Sequence, residues 1–259
     1  SIRSDQAEGL AVEGTARAVQ LLFEPAAADA RGAGPLTARQ IRQVMLLGNV
    51  RFDGLRYEPS GALVQRMHLF CEKLGYRPSD GQITVPVGGR MLLEDRRPTP
   101  TAEVGSVATP RGATAFRWSD GLQYDPQKLE ARMSGNVLVV HRPTDTSARD
   151  LRLNADLVTA ELLAPSDARA VAVGDPSTAQ LKRVTARGQV RFNSDRLEFL
   201  ASEVELRPRD DLLIARGTPG SPAVLMDPEG LSRGSFAELW LNIRTQESHL
   251  KDFRASIRR

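Results

Sequence analysis

The chain has 259 residues, 41% hydrophobic and 26% charged, with a net charge of +3. That balance describes a folded globular protein rather than a disordered one, and no apolar run approaches the roughly 20 residues that span a bilayer as a helix. The charge is small, and the arginines are spread along the chain (Arg183, Arg187 and Arg191 fall every fourth residue) instead of clustering with aromatics, so nucleic acid is excluded as a partner. The first residues, Ser1 to Asp5, carry neither a signal-peptide pattern nor an initiator methionine. A longer parent protein is expected, with any signal or membrane anchor outside this stretch.

Gly9–Phe23 reads as a strand pair, and the Ala/Gly-rich Pro25–Pro35 as a loop. Ile41–Phe52 resumes the strand pattern and contains Gly48-Asn49-Val50-Arg51-Phe52, after which Asp53-Gly54 predicts a hairpin. Leu63–Leu74 fits an amphipathic helix through Leu63, Met67, Phe70 and Leu74, but its neighbours are strands and it is read as one. Gly88-Gly89 predicts a turn between Gly81–Val87 and Met91–Leu93. Arg96–Gly112, rich in Pro, Thr and Gly, marks a boundary between a first unit, residues 1–100, and a second, 101–259, continuous with it.

In the second unit Gly112–Trp118 is followed by Ser134-Gly135-Asn136-Val137-Leu138-Val139-Val140. A turn at Pro143–Ser147 precedes the alternating Leu151, Leu153, Ala155 and Leu157. Ala164–Gln180 is a polar loop. Val184–Ile243 then reads as a meander of short antiparallel strands broken by Gly217–Pro222 and by Asp227-Pro228-Glu229-Gly230.

Three strand starts line up: Gly48-Asn49-Val50, Gly135-Asn136-Val137 and Gly188-Gln189-Val190. Three openings also line up: Gly14-Thr15-Ala16, Gly112 to Ala115 and Gly234 to Ala237. The separations are unequal, so the unit recurs without a strict period, and glycine before each strand suits a bend or bulge. Together with Gly217 and Pro222-Ala223, a stretched "G-x-P-A" step, these features resemble the OstA-like family of lipopolysaccharide transport: the periplasmic bridge protein and its membrane-anchored relatives. The resemblance covers residues 112–253 fairly well and 14–93 more loosely.

The resemblance implies an all-β fold: stacked antiparallel strands in a slightly open, elongated β-jelly roll of repeated units. It implies a non-catalytic periplasmic module, in the envelope of a bacterium with an outer membrane, that shields the acyl chains of lipopolysaccharide or a similar lipid. The expected lipid contacts are the apolar residues of the repeated strands: Val50, Phe52, Val137, Val139, Leu151, Leu153, Val190, Phe192, Leu197 and Phe199. In a closed domain the same residues are simply core, which leaves a filled structural scaffold as the alternative. Related domains are expected to add strand to strand at the sheet ends, with Phe236–Ile243 as the open edge, unless Leu250–Arg254 folds back over that edge and covers it.

No catalytic residue, metal site or cofactor is expected. H-E-x-x-H, G-x-S-x-G, C-x-x-C, the P-loop and G-x-G-x-x-G are all missing, and His68, His141 and His249 lack ligand spacing. Asp210-Asp211, beside Arg207 and Arg209, reads as a solvated turn, and Asp145, Asp150 and Asp156 as turn or outward-facing residues. The lone Cys71 can form no internal disulfide. Trp118 and Trp240 each follow an opening and are core residues or lipid contacts.

Overall fold

The computed structural model describes residues 2–6, 10–24, 40–58, 60–96, 112–144, 150–163, 180–194, 197–226, 232–243, 245 and 247–257. The loops expected at 25–35, 97–111 and 164–179, the turn at 227–230 and Asp145 lie outside them. The described residues form nineteen strands and one turn of 3-10 helix, and every strand pairing is antiparallel.

In chain order the strands are β1 (Ile2–Gln6), β2 (Leu10–Thr15), β3 (Ala18–Phe23), β4 (Ile41–Tyr57), β5 (Leu63–Arg77), β6 (Gln82–Val85) and β7 (Gly89–Asp95). Then come β8 (Gly112–Trp118), β9 (Gly121–Asp125), β10 (Glu130–Pro143), β11 (Leu151–Leu163), β12 (Gln180–Asn193) and β13 (Glu198–Arg207). The 3-10 turn Pro208–Asp210 leads to β14 (Leu212–Arg216), β15 (Ala223–Met226), β16 (Ser232–Phe236), β17 (Glu238–Asn242), β18 (Ser248–Lys251) and β19 (Arg254–Ile257).

The pairing resolves into two series. One runs β1-β2-β4-β5-β7-β8-β10-β11-β12-β13-β15-β16-β19, the other β3-β4-β5-β6-β9-β10-β11-β12-β13-β14-β17-β18. The six long strands β4, β5, β10, β11, β12 and β13 belong to both, one half to each. The successive pairs β2/β3, β6/β7, β8/β9, β14/β15, β16/β17 and β18/β19 do not pair with one another. Each places one member in each series and so acts as a long strand with a break in the middle. The result is one sheet folded over a crease into two layers. A single cluster of buried side chains drawn from both layers lies between them, including Val50, Trp118, Val137, Val190 and Phe199 from the first and Leu74, Met133, Val158, Val204 and Leu239 from the second.

The repeated glycine motif makes the crease. Gly48-Asn49 (φ 74 and 48), Gly135-Asn136 (φ 80 and 43) and Gly188-Gln189 (φ 73 and 40) are consecutive left-handed residues inside otherwise extended strands. At each pair the ladder slips: Leu47 faces Lys73 while Val50 faces Cys71, so two residues stand opposite Glu72 alone. Gly135-Asn136 likewise face Asp156, and Gly188-Gln189 face Ser202 across β12 and β13. Such a bulge bends a strand sharply, and Gly and Asn tolerate the positive φ it needs. The Asn49 N–H donates to Glu72 Oε2 at 3.2 Å, so the bulged backbone keeps a partner. Backbone bonds from Arg17 N–H to Gly48 O (3.0 Å) and Ser119 N–H to Gly135 O (2.7 Å) tie the broken strands to the bent ones along the same line.

Leu63–Leu74 is strand, as read, within β5. Four expectations are corrected. Residues 9–23 do form two strands, but β2 and β3 pair with successive halves of β4 and not with each other. Asp53-Gly54 is no hairpin: β4 runs straight through it, because Asp53 is held by Arg51 (Nε 2.8 Å) and by His68 Nδ1. The chain turns instead at Glu58–Ala62 around Gly61, φ +82. Val184–Ile243 is not a simple meander, since β13 gives Glu198–Leu200 to β15 and Glu203–Arg207 to β14. Phe236–Ile243 is no open edge: Phe236 pairs in β16 between β15 and β19, and β17 lies between β14 and β18. The chain's last described strands fold back over it.

Candidate functional site: the apolar interior between the layers

Cross-strand partners in an antiparallel sheet point to the same side. One unbroken row crosses the first layer from Phe52 through Leu69, Met91, Phe116, Val139, Leu153, Phe192 and Phe199 to Leu225. All of its members are apolar. The opposing layer presents a second row, Val85 through Leu122, Met133, Val158, Ala186, Val204, Ala215 and Leu239 to Leu250. Period-two alternation on strands bent at one common line brings these residues, far apart in sequence, onto two facing apolar surfaces.

Burial falls with distance from the crease. Val50, Val137 and Val190, each directly after its bulge, are 1%, 0% and 0% exposed. Two residues further out, Phe52, Val139 and Phe192 are only half-buried. Leu93, further still, is 36% exposed, as is Tyr76 (39%) at the rim of the second layer. The trend is not uniform: Leu69 (5%) and Phe199 (0%) stay buried in the second position, and His141 (8%), two residues beyond Val139, is buried again.

The ten expected contacts thus divide. Val50, Val137, Val190 and Phe199 are fully buried core. Phe52, Val139, Leu151, Leu153, Phe192 and Leu197 are half-buried on the same inner face of the first layer. Phe192 and Phe199 stack, with ring centroids 5.1 Å apart. Trp118 is core (2% exposed), its Nε1–H donating to the Val87 carbonyl at 3.1 Å, whereas Trp240 lies on the outer face at 42% exposure. Cys71 is buried, and that burial pushes its thiol up to about 11, well away from reactive thiolate chemistry.

Polar groups dominate the outer face. Arg187 and Arg191 reach Glu203 (2.7 Å) and Glu198 (2.6 Å), Arg183 reaches Glu161, and Arg142 binds Asp150 through Nε (3.0 Å) and Nη2 (3.1 Å). The solvent-facing arginine row is present, but paired. Asp210 and Asp211 sit in the 3-10 turn and its left-handed cap, a turn as expected. Two acids are nearly buried among the described residues: Asp125, which accepts from the Gln127 and Lys128 backbone N–H groups (3.0 and 3.1 Å), and Glu205, bonded by Arg207 (2.6 Å) and Arg216 (3.1 Å). Burial is the largest influence on Glu205 and pushes its pKa up, but the hydrogen bonds and positive charges of Arg207 and Arg216 together hold the carboxyl below its ordinary 4.5. A depressed carboxyl stabilises the fold above its unfolded pKa and loses that contribution as pH falls through the folded value. Acid denaturation followed by circular dichroism is therefore expected to show wild-type stability falling below about pH 4.5, with Glu205→Gln lower at pH 7 but flatter through that limb. An equally steep limb in the variant would assign the acid sensitivity elsewhere.

The histidines differ from one another. His68 Nδ1 is held by Asp53, and His249 is exposed. His141 is only 8% exposed and faces the interior, and only its Nδ1 has a partner, Thr114 Oγ1 at 2.9 Å. Alternation from Val137 and Val139 puts His141 on the inner face, but that its Nε2 is left without a partner depends on its cross-strand neighbours Thr114 and Leu151, which the sequence does not show. Among the described residues no group of three or more His, Cys, Asp or Glu side chains could hold a metal ion.

No family model matches the chain, and no curated protein does. Among solved structures it is similar to LptH of Pseudomonas aeruginosa, described as the LptA-homologous periplasmic component of the lipopolysaccharide transport device. That similarity has 8% identity and a TM-score of 0.40, over 56% of this chain and 95% of that one. A likeness that slight carries no weight for function. The two-layered architecture rests on this chain's own strand pairing.

Proposed function

We propose that the folded-over sheet is a non-catalytic lipid-binding and transport module of a bacterial periplasm, whose interior shields the acyl chains of lipopolysaccharide or a similarly acylated lipid. The observation that carries this reading is the unbroken apolar row from Phe52 to Leu225, most of it half-buried on the inner face of the first layer. A core sealed for stability alone has no need to leave seven of the nine side chains of such a row part-exposed, with only Leu69 and Phe199 buried. The glycine motifs that resemble the OstA-like family support the same reading, because they fall on the crease that creates the facing surfaces. Gly14–Ala16 and Gly234–Ala237 also end there, whereas Gly112 opens the far end of β8.

Hand-over to a related domain is part of this proposal, through strand addition at β3 instead of Phe236–Ile243. β3 pairs only with β4 among the described strands, has no charged residue, and exposes Val19 (50%), Leu21 (44%) and Leu22 (39%). Natural sheets rarely leave such an edge unguarded unless a partner uses it.

A photoreactive amino acid at Val139 or Phe192 is expected to crosslink to lipopolysaccharide, while the same probe at the outward-facing Leu138 or Leu200 is not. Equal labelling of inner and outer positions would contradict the proposal. Absence of any adduct at the inner positions would favour a filled structural scaffold.

A further inference from the structure

Among the described residues two buried side-chain nitrogens lack a hydrogen-bond partner, Arg66 Nε and His141 Nε2; Arg66 alternates to the outer face of β5, and His141 faces the interior. His141 lies in the third inward-facing position from the crease, between Thr114 and Leu151 as its cross-strand neighbours, with Leu93 next beyond Thr114. The ring is more than nine-tenths buried. Nδ1 is paired with Thr114 Oγ1 at 2.9 Å, and Nε2 is buried without a hydrogen-bond partner. Orphaned buried polar atoms are rare in folded proteins and costly, so one that persists in an apolar interior calls for a partner that arrives from outside the chain.

The ring's protonation narrows the chemistry. Burial is the main influence on its pKa and lowers it, only partly offset by the charge of Asp150, so the imidazole is neutral at neutral pH, with one donor nitrogen and one acceptor. When the Thr114 hydroxyl donates to Nδ1, the proton resides on Nε2, and an N–H donor faces the interior beside the apolar row of Val139 and Leu153. Such a donor matches an acceptor embedded in hydrocarbon. An acyl chain carries that acceptor at its attachment point, the carbonyl oxygen of its ester or amide.

Resting on the acyl-binding reading above, we propose that His141 Nε2–H, oriented by Thr114, receives the carbonyl oxygen of an ester- or amide-linked acyl chain and so fixes how deep the chain sits between the layers. The apolar rows hold the tail without preference for register. His141 supplies the one fixed point and discriminates acylated lipids from plain hydrocarbon chains.

The test is a pair of lysophospholipids with the same headgroup and chain length, one ester-linked and one ether-linked, which differ only in the carbonyl. Titration calorimetry is expected to show wild type binding the ester about five- to ten-fold more tightly, the range of one buried hydrogen bond. His141→Leu is expected to bind both equally, and His141→Gln, which keeps an N–H donor, to retain part of the preference. Circular dichroism checks that each variant is folded. Binding of both lipids within about two-fold by wild type, or a preference that survives in His141→Leu, would overturn the role of His141 and leave acyl binding intact. If wild type binds neither lipid, the acyl-binding reading fails and this inference falls with it.

Discussion

Gly135→Ala is expected to lower the unfolding free energy by about 3 kcal/mol, against about 1 kcal/mol for Gly61→Ala. The two glycines have nearly the same backbone conformation, φ +80 and +82. A methyl at Gly61 meets nothing within 4 Å, whereas one at Gly135 overlaps Asp120 Cγ and Ser119 Oγ. Ser119 N–H and Asp120 N–H donate to Gly135 O (2.7 Å) and Ser134 O (3.1 Å) and hold their backbone against β10, so the side chains can clear the methyl only by rotating away and giving up the Ser119 Oγ–Asp120 Oδ1 bond of 2.8 Å. The Gly61 variant measures the left-handed backbone alone. The excess at Gly135 measures crowding where β10 passes the β8–β9 break. Chemical denaturation reads both, and equal losses would mean that the crease is looser than its geometry.

Phe199→Ala is expected to cost about 3–5 kcal/mol, since a fully buried ring leaves a cavity that its neighbours cannot fill. Phe192, stacked on it but half-buried, is expected to cost about 1–2 kcal/mol in the same assay. For lipid binding the order should invert once stability is allowed for: Phe192→Ala weakens crosslinking to an acyl chain more than its small effect on folding would suggest. Were both substitutions to cost the same in stability and neither to affect binding, the two rings would belong to one closed core and the scaffold description would hold.

The recurrence of Gly-Asn-Val and Gly-Gln-Val was the most informative signal in the sequence. Glycine followed by a residue that tolerates positive φ, and then an alternating strand, states a bend in local chemistry, and the bends are where the chain shows them. Alternation in β11 and β12 likewise marked the strands, and the inner face as far as the crease: Leu151, Leu153 and Ala155 share it, but past the bulge Leu157 turns outward opposite Arg187 and Val158 points in. What could not be read was which half of a bent strand meets which neighbour. Asp53-Gly54 has the composition of a tight hairpin, but its signal is overridden by Arg51 and His68 on the folded sheet. Gly14 and Gly234 end at the crease while Gly112 does not, although the three openings look alike, because only pairing partners distinguish them. For Phe236–Ile243 the sequence left an open edge and one covered by Leu250–Arg254 both standing, and only the pairing of β18 and β19 decides for the covered one. The same limit applies within the candidate site: Val137 and Val139 are alike in sequence, and only distance from the crease makes one core and the other half-exposed.

Two tryptophans on opposite faces offer the most direct test of whether acyl chains occupy the space between the layers. Trp118 is on the inner face and Trp240 on the outer. Trp240→Phe leaves the inner reporter, and Trp118→Phe leaves the outer one. Fluorescence is titrated with a lysophospholipid whose acyl chain carries bromine, a quencher that acts at close range. A bound chain between the layers quenches Trp118 in a saturable manner and leaves Trp240 at the level seen with the unbrominated lipid. Quenching of Trp240 alone, or of both residues equally, would place the chain outside the folded sheet and contradict the account.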